Sequence, residues 1–295
     1  MKIHPRCIDC LLERVRYESA LSTGDPEKVR EVVETCRSRI APYRQGIHAA
    51  PAVASEIHHL AYTLLADPDP YRELKERSHA EAMAACREVR GDLRTFRDVV
   101  LAAILANTYD YGIAVHQVTG DFPAFFRSRF PLGLYRDDTD RIGNLARRVV
   151  YFTDNAGEID FDTLLLRSLK RRGARVTLAV KGAPILNDAT LEDARRLRLD
   201  REVDLLTTTG SGDIGVTWER MPAELAGALA DATLVIAKGM ANYESLTEYS
   251  SQLPPVAYLM TVKCETVAES IGAPVGAAVA ILHREGAAPL TLGTG

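Results

Sequence analysis

The chain has 295 residues, enough to bury a substantial core and to form one large or two modest domains. Hydrophobic residues make up 46% and charged residues 26%, which is the balance of a folded globular protein and excludes a disordered or fibrous chain. The formal net charge is -4, with 36 basic and 40 acidic residues interspersed, so no surface that gathers nucleic acid is indicated. The expected partner is therefore a small molecule.

The apolar segments and the cysteines indicate the compartment. The longest apolar stretches, residues 99–106 and 273–282, are too short to cross a bilayer, and the first seven residues contain no apolar segment of a secretory signal. Five cysteines are an odd number, which argues against a disulfide framework and leaves reduced thiols or metal ligands. We therefore expect a cytoplasmic protein with no membrane partner. No motif indicates its oligomeric state.

From Cys7 to about Phe126, apolar residues recur at helical spacing and strand patterns are scarce. A first helix is predicted to end near Gly24, and the helices after it are predicted at residues 26–39, 51–65, 71–90 and 94–105. The histidines of these helices have charged neighbours and are expected at the surface: His58, His59 and His79. This part of the chain is predicted to be entirely helical.

Near Arg147 the pattern changes, because short β-branched runs begin to alternate with amphipathic helices, which is typical of a parallel sheet flanked by helices. The predicted strands are residues 148–152, 175–180, 203–206, 233–237, 256–260 and 277–282. The predicted helices are residues 159–172, 190–198, 222–230, 243–249 and 264–271. We therefore expect an α/β protein with a helical domain of residues 1–140, which contributes a lip of the active site, and a Rossmann-like α/β/α domain of residues 141–295 with a mostly parallel sheet. Residues 131–144 are the expected connection.

Polar side chains follow the first two predicted strands. In an open parallel sheet, ligands bind beyond the carboxyl ends of the strands. Asp154 and Asn155 follow the first strand, and Asp188 comes shortly after the second. Carboxylate and amide oxygens suit a hard divalent cation such as Mg²⁺, which usually takes a few protein ligands and substrate phosphate. Helix capping is the alternative for Asp154 or Asp188 taken alone, but their joint placement at one edge favours a metal site.

Lys238 and Gly239 follow an apolar strand, so the ammonium is expected to emerge where phosphate oxygens could be held. The glycine would let backbone N–H groups approach an anion closely. A solvated lysine at a strand end is the alternative. The sequence contains no P-loop, no strand followed by Gly-x-Gly-x-x-Gly and no Gly-x-Ser-x-Gly elbow, which disfavours ATP, a dinucleotide and Ser-His-Asp chemistry.

Cys7 and Cys10 form a Cys-x-x-Cys pair. Such a pair is half of a zinc or iron site, which Cys264 and His4 could complete across the fold. Two thiols on one turn of a helix, without a ligand, are the alternative.

Six segments, in order along nearly the whole chain, resemble the motifs of the damage-control phosphatases, formerly a domain of unknown function. They are CIDC at 7–10, NTYDYG at 107–112, DNAGEI at 154–159, KGAPILNDAT at 181–190, KGMANYE at 238–244 and KC at 263–264. The resemblance is closest to the prokaryotic branch that carries the Cys-x-x-Cys pair. The sequence departs from the family pattern at Thr108, Tyr109 and Tyr111, and again at Met240 and Ala241.

This resemblance implies a phosphatase that needs Mg²⁺, Mn²⁺, Co²⁺ or Ni²⁺ and acts on a sugar phosphate, a phosphopantetheine derivative or a damaged nucleotide or cofactor. Carried over position by position, the metal ligands would be Asp154, Asn155 and Asp188, and Asp154 and Lys238 would be catalytic. The substrate-binding positions would be Asn107, Asp110, Glu158, Lys181, Gly239 and Asn242. Independently of the resemblance, the Cys-x-x-Cys pattern makes Cys7, Cys10 and Cys264 candidates for a second metal or redox site.

Two other functions remain open at this point. A carboxyl methyltransferase that uses S-adenosylmethionine would also have a Rossmann-like sheet, although no glycine-rich loop follows the first strand. A non-catalytic metal or metabolite sensor built on Cys7 and Cys10 would bind its ligand tightly without turnover. Calorimetry with S-adenosylmethionine and metal analysis of the purified protein would separate these functions from phosphatase chemistry.

Overall fold

A computed structural model of the chain describes residues 1–108 and 122–283. Its strands are β1 (Arg136–Asp137), β2 (Arg148–Phe152), β3 (Arg175–Val180), β4 (Leu205–Thr208), β5 (Leu234–Lys238), β6 (Val256–Thr261) and β7 (Ala278–His283). They form one sheet in the order β1-β7-β6-β5-β2-β3-β4. Strands β2 to β6 pair in parallel, β7 runs antiparallel to β6, and β1 runs parallel to β7. The predicted α/β class with a mostly parallel sheet is confirmed.

The strands expected from the sequence are all present, and the largest shift is at β4, which was predicted at 203–206 and lies at Leu205–Thr208. The short strand β1 was missed, since it lies inside the expected connection 131–144. Two residues are too few for an alternating pattern to show. β1 forms because Arg136 and Asp137 pair with β7, a contact between distant parts of the chain.

The described residues form twelve α-helices: α1 (Pro5–Ser22), α2 (Pro26–Ile40), α3 (Ala50–Leu65), α4 (Arg72–Val89), α5 (Phe96–Leu105), α6 (Phe122–Arg129), α7 (Thr139–Leu145), α8 (Ile159–Arg171), α9 (Leu191–Arg196), α10 (Ala223–Ala230), α11 (Gly239–Leu246) and α12 (Glu265–Ile271). No helix in the described ranges is both long enough and apolar enough to cross a membrane.

Local capping explains where several helices begin. The side chain of Asp25 accepts a hydrogen bond from the Glu27 N–H in front of α2, and Pro26 occupies the first turn. α5 was predicted from residue 94 but begins at Phe96, because Thr95 and Asp98 form a capping box there. α11 begins four positions before its predicted start. Gly239, with φ of 75°, turns the chain from β5 directly into the helix.

Alternate residues of the strands pack against two helical layers. One face of the sheet shares a core with α4 to α8, and the other face packs on α10, α11 and α12. α1, α2 and α3 form a third core, which also includes Ile185, Leu186 and Ile214 from the loops at the carboxyl edge of the sheet. The helices near the amino terminus therefore lie over that edge, while α5 packs on the sheet itself. The division at residues 140 and 141 stays a prediction.

Two histidines that were expected at the surface are buried, so that expectation was wrong for them. His58 on α3 lies with its Nδ1 2.8 Å from Oε2 of Glu18 on α1. His79 on α4 lies between α8 and α9, with Nδ1 2.9 Å from Asp160 and Nε2 3.0 Å from Asp193. These carboxylate partners are distant in sequence, so local charged neighbours could not indicate them. His59 is half-exposed, with 41% of its side chain accessible.

The His79 cluster predicts a pH-dependent contribution to stability. Burial alone would lower the pKa of His79, but hydrogen bonds and charge from Asp160 and Asp193 raise it above its usual value. A histidine whose pKa rises on folding stabilises the fold below its unfolded pKa of about 6.5, and this contribution is lost as the pH rises through the folded pKa. We therefore expect the difference in free energy of unfolding between wild type and His79→Gln to be largest in mild acid and to shrink in alkali.

Urea denaturation of both proteins between about pH 5 and 9 measures this difference. Taking the difference at each pH removes the contributions of groups distant from His79, which are the same in both proteins. The charged groups around His79 are Asp160 and Asp193, with Lys75 3.2 Å from Asp193 and Asp69 3.7 Å from Lys75. A difference that grows as the pH rises would contradict the assignment.

Candidate active site

The order of the strands places a crevice at the carboxyl ends of β2 and β5. The chain passes from β2 to β3 and β4 on one side, and then crosses to β5 and β6 on the other side. In open α/β sheets, ligands bind where the strand order reverses in this way. Asp154 follows β2 at this point, and Gly239 follows β5.

Backbone pairing brings the loop after β3 to the end of β2. The N–H of Ala156 donates to the carbonyl of Asn187 at 2.8 Å, and the N–H of Ala189 donates to the carbonyl of Asp154 at 2.8 Å. Asn155 and Asp188 form an antiparallel bridge. As a result, Asp154, Asn155 and Asp188 line one cavity of about 50 Å³. The structure thus brings the three predicted metal ligands together, and their role stays a prediction.

Helix capping does not account for these two aspartates. Thr190 is the N-cap of α9, and it forms a capping box with Asp193 rather than with Asp188. α8 has no side-chain cap at its amino terminus, so Asp154 does not cap it. The alternative considered for each residue alone therefore does not describe this structure.

Two amide groups hold the buried carboxylates of the site. Nδ2 of Asn107 donates to Oδ2 of Asp154 and to Oε2 of Glu158, both at 2.7 Å. Nδ2 of Asn155 donates to the same two oxygens at 3.1 and 3.0 Å. Because Nδ2 of Asn155 donates its hydrogen bonds to the carboxylates of Asp154 and Glu158, Oδ1 is the atom of that amide suited to hold a cation. Two carboxylates and one amide oxygen on one cavity fit a hard divalent metal.

Lys238 is buried and does not emerge at the strand end as expected. Its Nζ contacts Oε1 of Glu158, lies 2.6 Å from Oδ1 of Asp162 and donates to the carbonyl of Ala103 at 3.2 Å. Burial alone would lower the pKa of Lys238, but the charges of Asp162 and Glu158 raise it to about 12. Glu158, the N-cap of α8, and Asp162 within α8 are both buried and both pair with Lys238, because buried charges are costly unless paired. Lys238 is therefore linked to Asp154 through Glu158, whose Oε2 accepts hydrogen bonds from the same two amides that hold Asp154.

Burial also changes the pKa of Asp162, the acid furthest from the cavity in this network. It raises the pKa of Asp162 to about 6, although Lys238 beside it acts in the opposite direction. The hydroxyl of Tyr151 donates to Oδ1 of Asp162 at 2.7 Å. The chain of contacts from Tyr151 to Asp154 thus runs through an acid, a lysine, a second acid and two amides.

Two other predicted substrate-binding residues position the loops around the site. Nζ of Lys181 donates to the carbonyls of Asp213 and Gly215 at 2.9 and 2.5 Å, and lies 3.4 Å from Asp188. Nδ2 of Asn242 donates to the carbonyl of Thr153, just after β2, at 2.9 Å and to that of Lys238, the last residue of β5, at 2.8 Å. Both side chains are buried beneath the cavity rather than in its wall. Asp110 lies outside the described residues.

Gly239 lies directly against the Asp154 carboxylate. A Cβ built at Gly239 would overlap the carboxyl group of Asp154, and the φ of 75° is itself unfavourable for other residues. The glycine is therefore required for the position of Asp154, in addition to any contact with a ligand.

Two cations in the cavity wall were not among the predicted site residues. Arg14 of α1 and Lys263 after β6 line the cavity with the three oxygen ligands. Nζ of Lys263 donates to the carbonyl of Asn107 at 2.5 Å. Lys263 stands in the Lys-Cys segment that contributed to the resemblance, and this was its one signal. Arg14 had none, because only the fold brings α1 to this edge of the sheet.

The three cysteines of the predicted second site line a neighbouring cavity of about 340 Å³. Burial raises the pKa of Cys7 and of Cys264, and Cys10 is exposed. The Nδ1 atom of His4 accepts a hydrogen bond from the Arg6 N–H at the start of α1. Among residues 1–108 and 122–283, no group of three or more His, Cys, Asp or Glu side chains is arranged to hold a metal ion. A redox or metal role for these thiols stays a prediction.

Comparison with known proteins identifies the family. Residues 3–279 match the damage-control phosphatase ARMT1-like domain. A damage-control phosphatase of Archaeoglobus fulgidus is 42% identical over 286 residues, which cover 95% of this chain and 99% of the relative. One of Pyrococcus horikoshii is 27% identical and covers 96% and 99%. The crystal structure of a DUF89 family protein from Pyrococcus horikoshii matches with a TM-score of 0.84, 27% identity and coverage of 95% and 99%. The chain belongs to the damage-control phosphatase family.

Proposed function

We propose that this chain is a metal-dependent phosphatase that hydrolyses a small phosphorylated metabolite. The observation that carries the proposal is the cavity at the ends of β2 and β5, where Asp154, Asn155 and Asp188 lie with Arg14 and Lys263. Oxygen ligands for a cation and two positive side chains for an anion suit a metal-bound phosphoryl group. The names of the relatives from Archaeoglobus fulgidus and Pyrococcus horikoshii support the same activity.

Asp154, Asn155 and Asp188 would hold the divalent metal, for which Mg²⁺, Mn²⁺, Co²⁺ and Ni²⁺ are the candidates. When bound, such a cation polarises a phosphoryl oxygen as a Lewis acid. Lys181 lies 3.4 Å from Asp188, and Asn107 holds Asp154, so each acidic ligand has a fixed partner that sets its orientation.

The protein's own cations would stabilise the charge that develops on phosphate. Arg14 and Lys263 lie in the cavity wall and would bind phosphoryl oxygens. We assign Asp154 the direct catalytic role, because Asn107 and Asn155 hold its Oδ2 at the switch point of the sheet. Lys238 is a positioning residue in this proposal, since its ammonium contacts Glu158 rather than the cavity.

Turnover of p-nitrophenyl phosphate by the purified protein tests the proposal. The protein is treated with EDTA, dialysed and assayed alone and with each of Mg²⁺, Mn²⁺, Co²⁺ and Ni²⁺. We expect the treated protein to be inactive and at least one of these metals to restore turnover. Activity that EDTA does not change would reject a metal-dependent mechanism.

Replacement of Gly239 by alanine should disable the site without removing any of its functional groups. The added methyl would displace the Asp154 carboxylate, and a shift of about 1 Å in a catalytic group can lower the rate about a hundredfold. The matched control is Gly227→Ala in α10, where an added Cβ meets nothing within 4 Å. Kinetics and thermal unfolding of both variants are compared with wild type, and a fully active Gly239→Ala enzyme would contradict the described contact.

A further inference from the structure

We propose that the cavity of about 340 Å³ lined by the cysteines binds the alcohol part of the substrate, and that this part is predominantly apolar. The inference rests on the proposed phosphatase function and adds a substrate class to it. The preferred substrates would be phosphate monoesters whose alcohol carries an alkyl chain or a ring, rather than esters of a fully hydroxylated sugar. We call this space the thiol cavity.

The thiol cavity adjoins the cavity that holds the oxygen ligands. The two have five lining residues in common: Arg14, Ile214, Met240, Ala241 and Lys263. The smaller cavity, of about 50 Å³, leaves little room for more than a phosphoryl group and its cation. A monoester bound there has the thiol cavity as the adjoining space for its alcohol.

The wall of the thiol cavity is mostly apolar. α1 contributes Leu11, α3 contributes Ala54, and Ile214 and Met240 come from the loops and helix at the edge of the sheet. Thiols add little polarity, since cysteine behaves as a small hydrophobic residue with a weak donor. An alcohol with many hydroxyl groups would give up hydrogen bonds to water here and find few replacements, whereas apolar groups would gain from leaving water.

The charged residues of the thiol cavity do not alter this preference. Arg6 and Glu265 pair with each other at 2.7 Å, and their side chains are 58% and 70% exposed, so they form a rim. Arg14 and Lys263 lie at the end shared with the oxygen ligands. Burial raises the pKa of Glu244, although the charged amino terminus and Arg14 act in the opposite direction. The thiol cavity therefore has a cationic end at the phosphoryl position and an apolar body.

A series of alkyl phosphates tests this inference by turnover. With the metal that best supports p-nitrophenyl phosphate hydrolysis, we expect kcat/KM to rise from methyl to butyl to hexyl phosphate by about three- to fourfold for each buried methylene. Glucose 6-phosphate should be a poorer substrate than hexyl phosphate. Equal kcat/KM for methyl and hexyl phosphate would overturn the inference and leave the phosphatase proposal standing.

Filling the thiol cavity with a larger side chain should reduce the preference for hexyl phosphate over methyl phosphate. Ala54→Leu places a larger side chain in the thiol cavity and is expected to lower the ratio of hexyl to methyl kcat/KM about tenfold, the discrimination typical of a hydrophobic pocket. Ala52→Leu on the exposed face of the same helix is the control, and it should keep the wild-type ratio. An unchanged ratio in a folded Ala54→Leu enzyme counts against the assignment.

Thiol protection provides a readout that needs neither turnover nor a variant. Hexylphosphonate, which is not hydrolysed, should slow alkylation of Cys7, Cys10 and Cys264 by N-ethylmaleimide, as followed by mass spectrometry of peptides, and methylphosphonate should slow it less. Cys86 is the internal control, because it is half-buried on α4 and its Sγ faces the carbonyl of Asp160.

The two readouts separate the failure of the inference from the failure of the proposed function. Protection by hexylphosphonate without turnover of any ester would reject the phosphatase proposal and support the ligand preference of the thiol cavity. The thiol cavity would be rejected as the alcohol site by two results together. Turnover would be independent of chain length, and hexylphosphonate would leave the alkylation rates of Cys7, Cys10 and Cys264 unchanged, as it does that of Cys86.

Discussion

Asp154→Asn is expected to lower kcat/KM for p-nitrophenyl phosphate about a thousandfold, the effect of removing a principal electrostatic group from a preorganised site. The asparagine has nearly the size of aspartate but lacks its charge. Its oxygen can still accept the hydrogen bonds from Asn107 and Asn155, which turns its NH₂ group toward the cation. Steady-state kinetics across a metal titration measures the loss, and Mn²⁺ affinity is expected to fall with it.

The stability of this variant should not fall. Asp154, Glu158 and Asp188 crowd negative charge into one buried region, so a neutral residue at 154 relieves repulsion when EDTA is present. Thermal unfolding in EDTA is therefore expected to give a melting temperature at or above that of wild type. Asp231→Asn, at an exposed aspartate, is the control for both measurements. Wild-type activity in Asp154→Asn would contradict the catalytic role assigned to Asp154.

Lys238→Met is expected to lower the free energy of unfolding by about 3–5 kcal/mol, the effect of removing one partner from a buried ion pair. Methionine fills most of the same space, so packing is largely kept. Glu158 and Asp162 lose the cation that both contact. Because burial raises the pKa of Asp162 to about 6 even with Lys238 beside it, Asp162 should take up a proton more readily in the variant.

The loss in Lys238→Met should consequently depend on pH. An acid whose pKa is raised on folding destabilises the fold as the pH rises through its unfolded and folded values, so the variant is expected to be closest to wild type in acid and furthest from it in alkali. Urea denaturation at several pH values measures this. Lys170→Met removes an exposed ion pair with Asp204, and its expected cost is only about 0–1 kcal/mol. An equally small loss in the free energy of unfolding for the two variants would show that the Lys238 network contributes little to stability.

Much of the fold could be predicted from the sequence because its signals are local. The β-branched runs at 148–152 and 175–180 became β2 and β3 with unchanged bounds. The antiparallel direction of β7 could not be predicted, since the alternation of side chains is the same in either direction. It depends on pairing with β6, in which Val256 lies opposite His283.

The shared location of the oxygen-bearing side chains was predictable, because a general rule of parallel sheets applies to them. Asp154, Asn155 and Asp188 follow strand ends, and the structure places all three on one cavity. The direction of the Lys238 side chain was not predictable, because it depends on Glu158 before α8 and Asp162 within α8, which are 80 and 76 residues away in the chain. The position at the end of a strand determines where the backbone of Lys238 lies, whereas its buried partners determine the direction of its side chain.

The central claim is that Asp154, Asn155 and Asp188 share one divalent cation in the cavity at the ends of β2 and β5. Crystals of the protein soaked with Mn²⁺ and phosphate, with data collected at the manganese absorption edge, test it directly. We expect an anomalous peak within coordination distance of oxygens from all three side chains, with phosphate toward Arg14 and Lys263. A manganese peak confined to Cys7, Cys10 and Cys264, or a cavity in which Asp188 takes no part in binding, would contradict it.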